Sequence, residues 1–116
     1  MGKLLRDKVA LVTGASRGIG RAIAFAMAEE GSKVALTGRD TGRLNKVMEQ
    51  IQLVGGKSNI WKMDVSSETE VEDSVHKILD LWGQIDILVN NAGIIHPDTP
   101  VWKTSISDWD EDMATN

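Results

Sequence analysis

The stretch TGASRGIG, Thr13 to Gly20, places three glycines in eight residues between an apolar run and an alanine-rich segment. The run before it, Val9 to Val12, is short and continuously apolar, which is typical of a strand buried on both faces. The segment after it, Arg21 to Glu30, predicts a helix that ends before Gly31. Because backbone N–H groups at a helix N-terminus favour an anion, this turn predicts a phosphate site. The alternative is a turn that needs glycine only for chain reversal.

Strand-like and helix-like segments continue to alternate beyond this turn. Strand character is found in three further segments, Lys33 to Thr37, Asn59 to Val65 and Ile85 to Val89. Apolar residues recur at helical spacing from Leu44 to Val54 and from Val71 to Trp82, and Ser67 with Glu70 indicates a capping box before the second of these helices. The pattern predicts an α/β fold with a Rossmann-like parallel sheet and helices on both faces. In the doubly wound order of such folds, the four strands would lie 3-2-1-4 with flanking helices.

Composition excludes several classes of function. The chain has 116 residues, a net charge of -4 and no block of basic residues, so we expect one compact unit and no nucleic-acid partner. It has no cysteine, which excludes disulfides and thiolate zinc sites, and no cluster of His, Asp and Glu has metal-ligand spacing. Without a long apolar stretch we expect no membrane association and a cytoplasmic location.

Three motifs together resemble the short-chain dehydrogenase/reductase family. They are TGASRGIG, Asp64 after the third strand, and NNAG from Asn90 to Gly93 after the fourth. The resemblance extends from about Lys8 to Asn116. Within the family, the sequence is similar in particular to 3-oxoacyl-acyl-carrier-protein reductases and other NADP-linked enzymes. It implies an oxidoreductase that transfers hydride between a nicotinamide and the carbonyl or alcohol carbon of a small molecule.

The resemblance also implies which residues bind the cofactor. The residues around the pyrophosphate and the adenosine ribose would be Gly14, Ser16, Arg17, Gly18, Ile19 and Gly20. Asp64 and Val65 would contact the adenine, with the Asp64 carboxylate accepting from its exocyclic amine, whereas a turn or capping role is the alternative for Asp64. Asn90, Ala92 and Gly93 would line the adenosine ribose side. By analogy with the dinucleotide fingerprint, Gly14 allows the tight turn, Gly18 a close approach and Gly20 close helix packing.

The end of the second strand predicts the choice of cofactor. NAD-preferring relatives place an acidic residue there, whereas this chain has Gly38, followed by Arg39, with Arg17 in the glycine loop. Two guanidinium groups suit a 2′-phosphate, so we predict NADP over NAD. Two alternatives remain open: both arginines are solvated surface charges, or Asp40 takes the role of the NAD-binding acid.

The family's proton-transfer residues are absent from this sequence. Catalysis in the family uses a serine, a tyrosine and a lysine three positions after the tyrosine, and the chain has no tyrosine. Asn116 aligns with the family asparagine that helps to order a proton-relay water. Residues 1–116 are therefore predicted to form part of a dinucleotide-binding domain, truncated before the catalytic segment, that binds cofactor without turnover. Alternatives are a noncatalytic nucleotide-binding or regulatory module that pairs with a longer relative, and an α/β scaffold with no ligand.

The fourth strand carries a further expectation about association. In the complete fold a fifth strand from the missing half would normally lie beside Ile85 to Val89. Without it, unpaired backbone groups lie next to an apolar run, which favours pairing with another chain. We therefore expect the isolated chain to self-associate or exchange strands.

Overall fold

The computed structural model describes residues 4–91, and within them strands and helices alternate strictly. The order is β1 (Val9–Val12), α1 (Gly18–Glu29), β2 (Lys33–Gly38), α2 (Thr41–Leu53), β3 (Lys57–Lys62), α3 (Glu68–Trp82) and β4 (Ile87–Val89). All strand pairs are parallel and the sheet order is β3-β2-β1-β4. The predicted doubly wound sheet, with strand order 3-2-1-4 and flanking helices, is confirmed.

The sheet is buried on both faces, which explains why β1 is apolar throughout. On one face, the buried side chains of α1 and α2 pack with those of β1 and β2, the set being Val12, Ala24, Ala28, Val34, Leu36, Leu44, Val47 and Ile51. On the other face, Ile78 of α3 packs with Val9, Leu11 and Ala35. Trp61 of β3 and Trp82 of α3 extend this second core with an edge-to-face contact at 5.7 Å between ring centroids. Both faces of a parallel sheet must be covered, and these helices cover them.

Polar side chains begin the second and third helices. The Asp40 carboxylate accepts from the Arg43 N–H at 3.1 Å, and the Ser67 hydroxyl accepts from the Glu70 N–H at 3.3 Å. The capping box is only half formed, because the Glu70 carboxylate accepts from the Asp64 N–H at 3.2 Å and not from Ser67. Glu70 thus ties the start of α3 to the segment after β3. Among the helices within residues 4–91, none has the length and apolar character needed to cross a membrane.

Three predicted strands have different bounds in the structure, and β2 differs only in ending at Gly38 and not at Thr37. β3 begins at Lys57 and ends at Lys62, whereas the apolar pattern placed it from Asn59 to Val65. The apolar Met63, which extended the predicted strand, lies after β3 and is buried against Val71 of α3. β4 comprises only Ile87–Val89, because Ile85 is buried in the core beneath α3 without joining the strand.

Asp86 fixes the position of β4 against β1. The Asp86 carboxylate accepts from the Val9 N–H at 2.8 Å, and the Asp86 N–H donates to the Val9 carbonyl at 2.8 Å. The amide of Gln84 donates to the same carboxylate at 2.8 Å. In this register Val12 lies opposite Val89, so the residues that follow β4 lie beside the glycine loop that follows β1.

Candidate functional site

A groove of about 880 Å³ lies at the carboxyl ends of β1, β2 and β3. Its lining comes from the glycine loop, the turn after β2 with the start of α2, the segment after β3, and Asn91 after β4. The lining residues are Gly14, Ser16, Arg17, Gly18, Gly38, Arg39, Asp40, Arg43, Met63, Asp64, Val65, Ser66 and Asn91. Ligands of doubly wound folds bind outside the carboxyl ends of the strands, which is where this groove lies.

The glycine loop forms one wall of the groove and leads directly into α1. Gly14 and Gly18 have φ angles of 60° and 61°, a backbone conformation that glycine adopts without steric cost. A Cβ at Gly18 would have no described heavy atom within 4 Å, so the backbone there is open to an approaching group. α1 has no acidic residue in its first turn and no side-chain cap at Arg17, so its N-terminal N–H groups can receive an anion.

Gly20 lies beneath the loop and not on the groove surface. A Cβ there would overlap the carbonyl oxygen of Gly14 and would lie 2.5 Å from the side-chain nitrogen of Asn91. Asn91 is held in place by its backbone N–H, which donates to the Thr13 hydroxyl at 2.8 Å. That hydroxyl also lies 3.3 Å from Oδ1 of Asn90. The ends of β1 and β4 are thus joined at the point where the glycine loop begins.

Three arginines line the groove, one more than the two predicted from the sequence. Arg17 and Arg39 are exposed, and Arg43 in the first turn of α2 is the additional one. Nε of Arg43 lies 3.2 Å from Oδ2 of Asp40, whose other oxygen caps α2. The spacing of Asp40 and Arg43, three residues apart across a helix start, was the signal that could have indicated Arg43.

Asp64 lies in the segment between β3 and α3 and is bound by its own turn. Its Oδ1 accepts from the Ser66 hydroxyl at 2.7 Å and from the Ser66 N–H at 2.9 Å. These two hydrogen bonds, with a smaller contribution from the charge of Arg39, lower the pKa of Asp64 below the ordinary value of 3.8. The turn role considered for Asp64 is therefore present, and both described bonds to its carboxylate use Oδ1.

The predicted site residues fall into three groups: those that line the groove, those that lie beside it, and those outside the described residues. Most of those predicted near the pyrophosphate and adenine line the groove: Gly14, Ser16, Arg17, Gly18, Arg39, Asp64 and Val65. Ile19 is 70% exposed and is not among the lining residues. Asn90 lies beside Thr13, while Ala92, Gly93 and Asn116 lie outside the described residues. Besides Arg43, three lining residues were not predicted from the sequence: Met63, Ser66 and Asn91.

Comparison with protein families agrees with this arrangement. Residues 8–116 match the family model described as short chain dehydrogenase. The chain belongs to the short-chain dehydrogenase family. This confirms the resemblance deduced from the three motifs and makes the chain part of an oxidoreductase family.

Similar members of the short-chain dehydrogenase family have different recorded activities. An uncharacterised oxidoreductase of Staphylococcus saprophyticus is 44% identical, over 88% of this chain and 47% of the relative. A 3-oxoacyl-[acyl-carrier-protein] reductase of Aquifex aeolicus is 42% identical, over 97% of this chain and 45% of the relative. A 3beta-hydroxysteroid dehydrogenase of Mediterraneibacter gnavus is 37% identical, over 95% of this chain and 40% of the relative. The chain spans about half the length of these relatives.

Solved structures of the family have the same fold. A metagenomic short-chain oxidoreductase in complex with NADP matches with a TM-score of 0.76 and 36% identity, covering 84% of this chain and 48% of that one. A dehydrogenase/reductase from Sinorhizobium meliloti matches with a TM-score of 0.75 and 40% identity, covering 95% of this chain and 44% of that one. The doubly wound half-sheet described above is therefore the short-chain dehydrogenase fold.

Proposed function

We propose that this chain is the NADP(H)-binding N-terminal half of a short-chain oxidoreductase. When bound, the nicotinamide of such a cofactor donates or accepts hydride at a carbonyl or alcohol carbon. Family membership and the groove at the carboxyl ends of the strands support the proposal. The contribution of this chain would be to bind the cofactor and fix its orientation.

In the proposed complex, the groove would hold the two ends of the adenosine diphosphate part of the cofactor. The pyrophosphate would lie over Gly18, where the backbone is open and the N-terminus of α1 supplies N–H groups and a favourable dipole. The adenine would lie against Asp64 and Val65, which follow β3 and also line the groove. With Oδ1 of Asp64 bound by Ser66, Oδ2 is the oxygen assigned to the adenine amine. Asn90, Ala92 and Gly93 would border the adenosine ribose.

The observation that carries the preference for NADP is the charge at the end of β2. Arg17 and Arg39 line the groove there, while Gly38 has no side chain to accept a bond from a ribose 2′-hydroxyl. Asp40, the acidic residue nearby, has one oxygen on the Arg43 N–H and the other beside Nε of Arg43. That carboxylate is already engaged, so a ribose hydroxyl would have to compete with a helix cap. A 2′-phosphate requires no such exchange.

Proton transfer is assigned to groups outside this chain, since the sequence contains no tyrosine. Loss of a positioned general acid lowers a rate by about a hundredfold or more. We therefore propose dinucleotide binding without family-like turnover for the chain itself. Asn116 remains our proposal for ordering a relay water in the whole protein.

Calorimetric titration of the purified chain with NADPH and with NADH tests the proposal. The expected dissociation constant is about tenfold or more lower for NADPH, the difference that one hydrogen bond to a charged group supplies. Equal constants would overturn the preference for NADP. Absence of binding by either cofactor would overturn the proposal as a whole.

A further inference from the structure

Arg43 is attached to Asp40 at two points. Its backbone N–H donates to Oδ1 of Asp40 at 3.1 Å, and its Nε lies 3.2 Å from Oδ2 of the same carboxylate. Both residues line the groove, together with Arg17 and Arg39. Asp40, which caps α2, thus also holds the guanidinium group of Arg43 through Nε at the edge of the proposed cofactor site.

This attachment leaves the terminal nitrogens of Arg43 available. A guanidinium has five N–H donors, and the contact with Asp40 uses the one on Nε. The donors on the two terminal nitrogens form the fork that binds two oxygens of a phosphate. The two side chains are 54% and 56% exposed, so the ion pair itself contributes little stability. Its consequence is the placement of Arg43.

The charged residues that line the groove explain how Arg43 would favour phosphate binding. Two carboxylates, Asp40 and Asp64, line the groove with the three arginines. Arg39 interacts electrostatically with Asp64, since its charge helps to lower the pKa of that carboxyl. A phosphate monoester carries a charge of about -1.5 to -2 at neutral pH. The positive charges of Arg17 and Arg39 are cancelled by the two carboxylates, so they would leave the charge of a bound phosphate uncompensated. A third guanidinium would compensate part of that negative charge.

We propose that Arg43 is a third ligand of the 2′-phosphate of NADP and that Asp40 positions it. This inference rests on the proposed NADP function and identifies the residues that distinguish the two cofactors. It also assigns Asp40 a role opposite to that of an NAD-binding acid: its carboxylate binds the arginine that binds the phosphate.

Two small ligands that differ only by the 2′-phosphate test the role of Arg43. Calorimetry with adenosine 2′,5′-bisphosphate and with 5′-AMP is compared for the unchanged chain, Arg43→Gln and Lys46→Gln. Lys46 is the matched control, because it is exposed on the same helix, has the same charge and is not among the lining residues. Arg43→Gln should weaken binding of the bisphosphate about tenfold and change 5′-AMP binding by less than about twofold. Lys46→Gln should leave both unchanged within about twofold, because screened surface charges contribute little.

The other outcomes separate the two proposals. Unchanged bisphosphate binding in Arg43→Gln, or an equal loss for both ligands, would overturn the role of Arg43 while leaving the proposed function intact. If the unchanged chain binds 5′-AMP as tightly as the bisphosphate, the NADP preference fails and the inference fails with it. If it binds neither ligand, the proposed function fails as well.

A double-mutant cycle tests the positioning role of Asp40. Asp40→Asn keeps a side chain that caps helices well, and it has two opposed effects on bisphosphate binding. It removes a nearby negative charge, which strengthens binding, and it releases Arg43, which weakens it. In the Arg43→Gln background only the first effect remains. The gain in bisphosphate affinity caused by Asp40→Asn should therefore be smaller by about threefold or more when Arg43 is present than when it is replaced. The same effect in both backgrounds would overturn the positioning role.

Discussion

The side-chain amide of Asn91 lies directly over Gly20, 2.5 Å from the place that a Cβ on this glycine would occupy. The carbonyl oxygen of Gly14 closes the same space from the loop side. Gly20 therefore lacks a side chain because two segments, the glycine loop and the end of β4, meet at this point. Close packing at Gly20 thus joins the glycine loop, where the phosphate site is proposed, to the end of β4.

Substitution of Gly20 by alanine should destabilise the chain. In a free helix this change would be favourable by about 1 kcal/mol. Here the added Cβ would overlap the Gly14 backbone and Asn91, and overpacking costs about 1 to 3 kcal/mol or more, so the clash should prevail. Urea denaturation should show a net loss of stability for Gly20→Ala and weaker NADPH binding, because the loop must move.

Gly42→Ala provides the control for this prediction. Gly42 lies in α2, and a Cβ there would be no nearer than 3.4 Å to Oδ1 of Asp40. The substitution should therefore stabilise the chain by about 0.5 to 1 kcal/mol through helix propensity. Equal stability of the two variants would contradict the steric explanation for Gly20.

Gly38→Asp should reverse the cofactor preference. Gly38 has no positive φ angle, and a Cβ there would make an ordinary contact of 3.5 Å with Leu44, so the new side chain fits. A carboxylate at the end of β2 would accept from the 2′-hydroxyl of NAD and repel a 2′-phosphate. The dissociation constant for NADPH should rise, and that for NADH should fall, each by about tenfold, as measured by calorimetry.

The uncharged variant Gly38→Ala separates charge from bulk. It should leave the ratio of the two dissociation constants within about twofold, since it adds the same Cβ without an acceptor. If Gly38→Ala changes the ratio as much as Gly38→Asp, the preference depends on space at the end of β2 and not on charge.

The fold could be predicted from sequence because its signals are local and repeated. Val9 to Val12 are all buried, and the glycine loop and helix spacing follow at once, so the alternation of strands and helices needed no distant information. The strand order 3-2-1-4 came from the known order of doubly wound folds. The bounds of β3 could not be predicted in this way. Lys57 and Ser58 are polar residues that begin a strand at the edge of the described sheet, while the apolar Met63 packs against α3 outside the strand. Hydropathy alone does not distinguish a strand from a buried loop residue.

The candidate site was predictable to the extent that each residue acts through its own motif. Arg17 and Arg39 follow from their positions in the loop and at the end of β2, and both line the groove. Arg43 and Asn91 required tertiary information: one is brought to the groove by the Asp40 cap, and the other by the pairing of β4 with β1. Sequence spacing suggests such neighbours but does not determine what faces the groove.

Ser66→Ala should raise the pKa of Asp64 toward its ordinary value of 3.8. The two hydrogen bonds from Ser66 favour the charged carboxylate and lower its pKa, and the substitution removes the one from the hydroxyl. Because the folded-state pKa is lowered, the ionised carboxylate stabilises the fold above the unfolded value, and this contribution is lost as the pH falls through the lowered pKa. Carbon-detected NMR titration of the Asp64 carboxyl measures the shift directly.

Ser67→Ala is the matched control for the Asp64 titration. The Ser67 hydroxyl caps α3 through the Glu70 N–H and is not among the causes of the Asp64 shift. Its loss should leave the pKa of Asp64 unchanged while destabilising the chain by about 1 kcal/mol. An Asp64 pKa that responds equally to both substitutions would show that Ser66 has no special role.

We predict that the chain self-associates through β4. Within residues 4–91, β4 pairs with β1 on one side and with no strand on the other, and its side chains are only partly buried. Unpaired N–H and C=O groups beside an apolar strand favour pairing with another chain. Sedimentation velocity should therefore show a mass that rises with concentration. Ile87→Lys should reduce this rise, because a lysine on an edge strand opposes edge-to-edge pairing.

Leu81→Lys distinguishes the strand edge from general surface hydrophobicity. Leu81 is 52% exposed on α3, so this variant adds the same charge and removes an exposed apolar side chain from a helix and not from a strand. It should leave the association unchanged within about twofold, whereas Ile87→Lys should weaken it by about tenfold, the loss expected for about 1.4 kcal/mol. Equal effects of the two lysines would assign association to apolar surface in general. A mass that stays monomeric at every concentration would contradict the prediction.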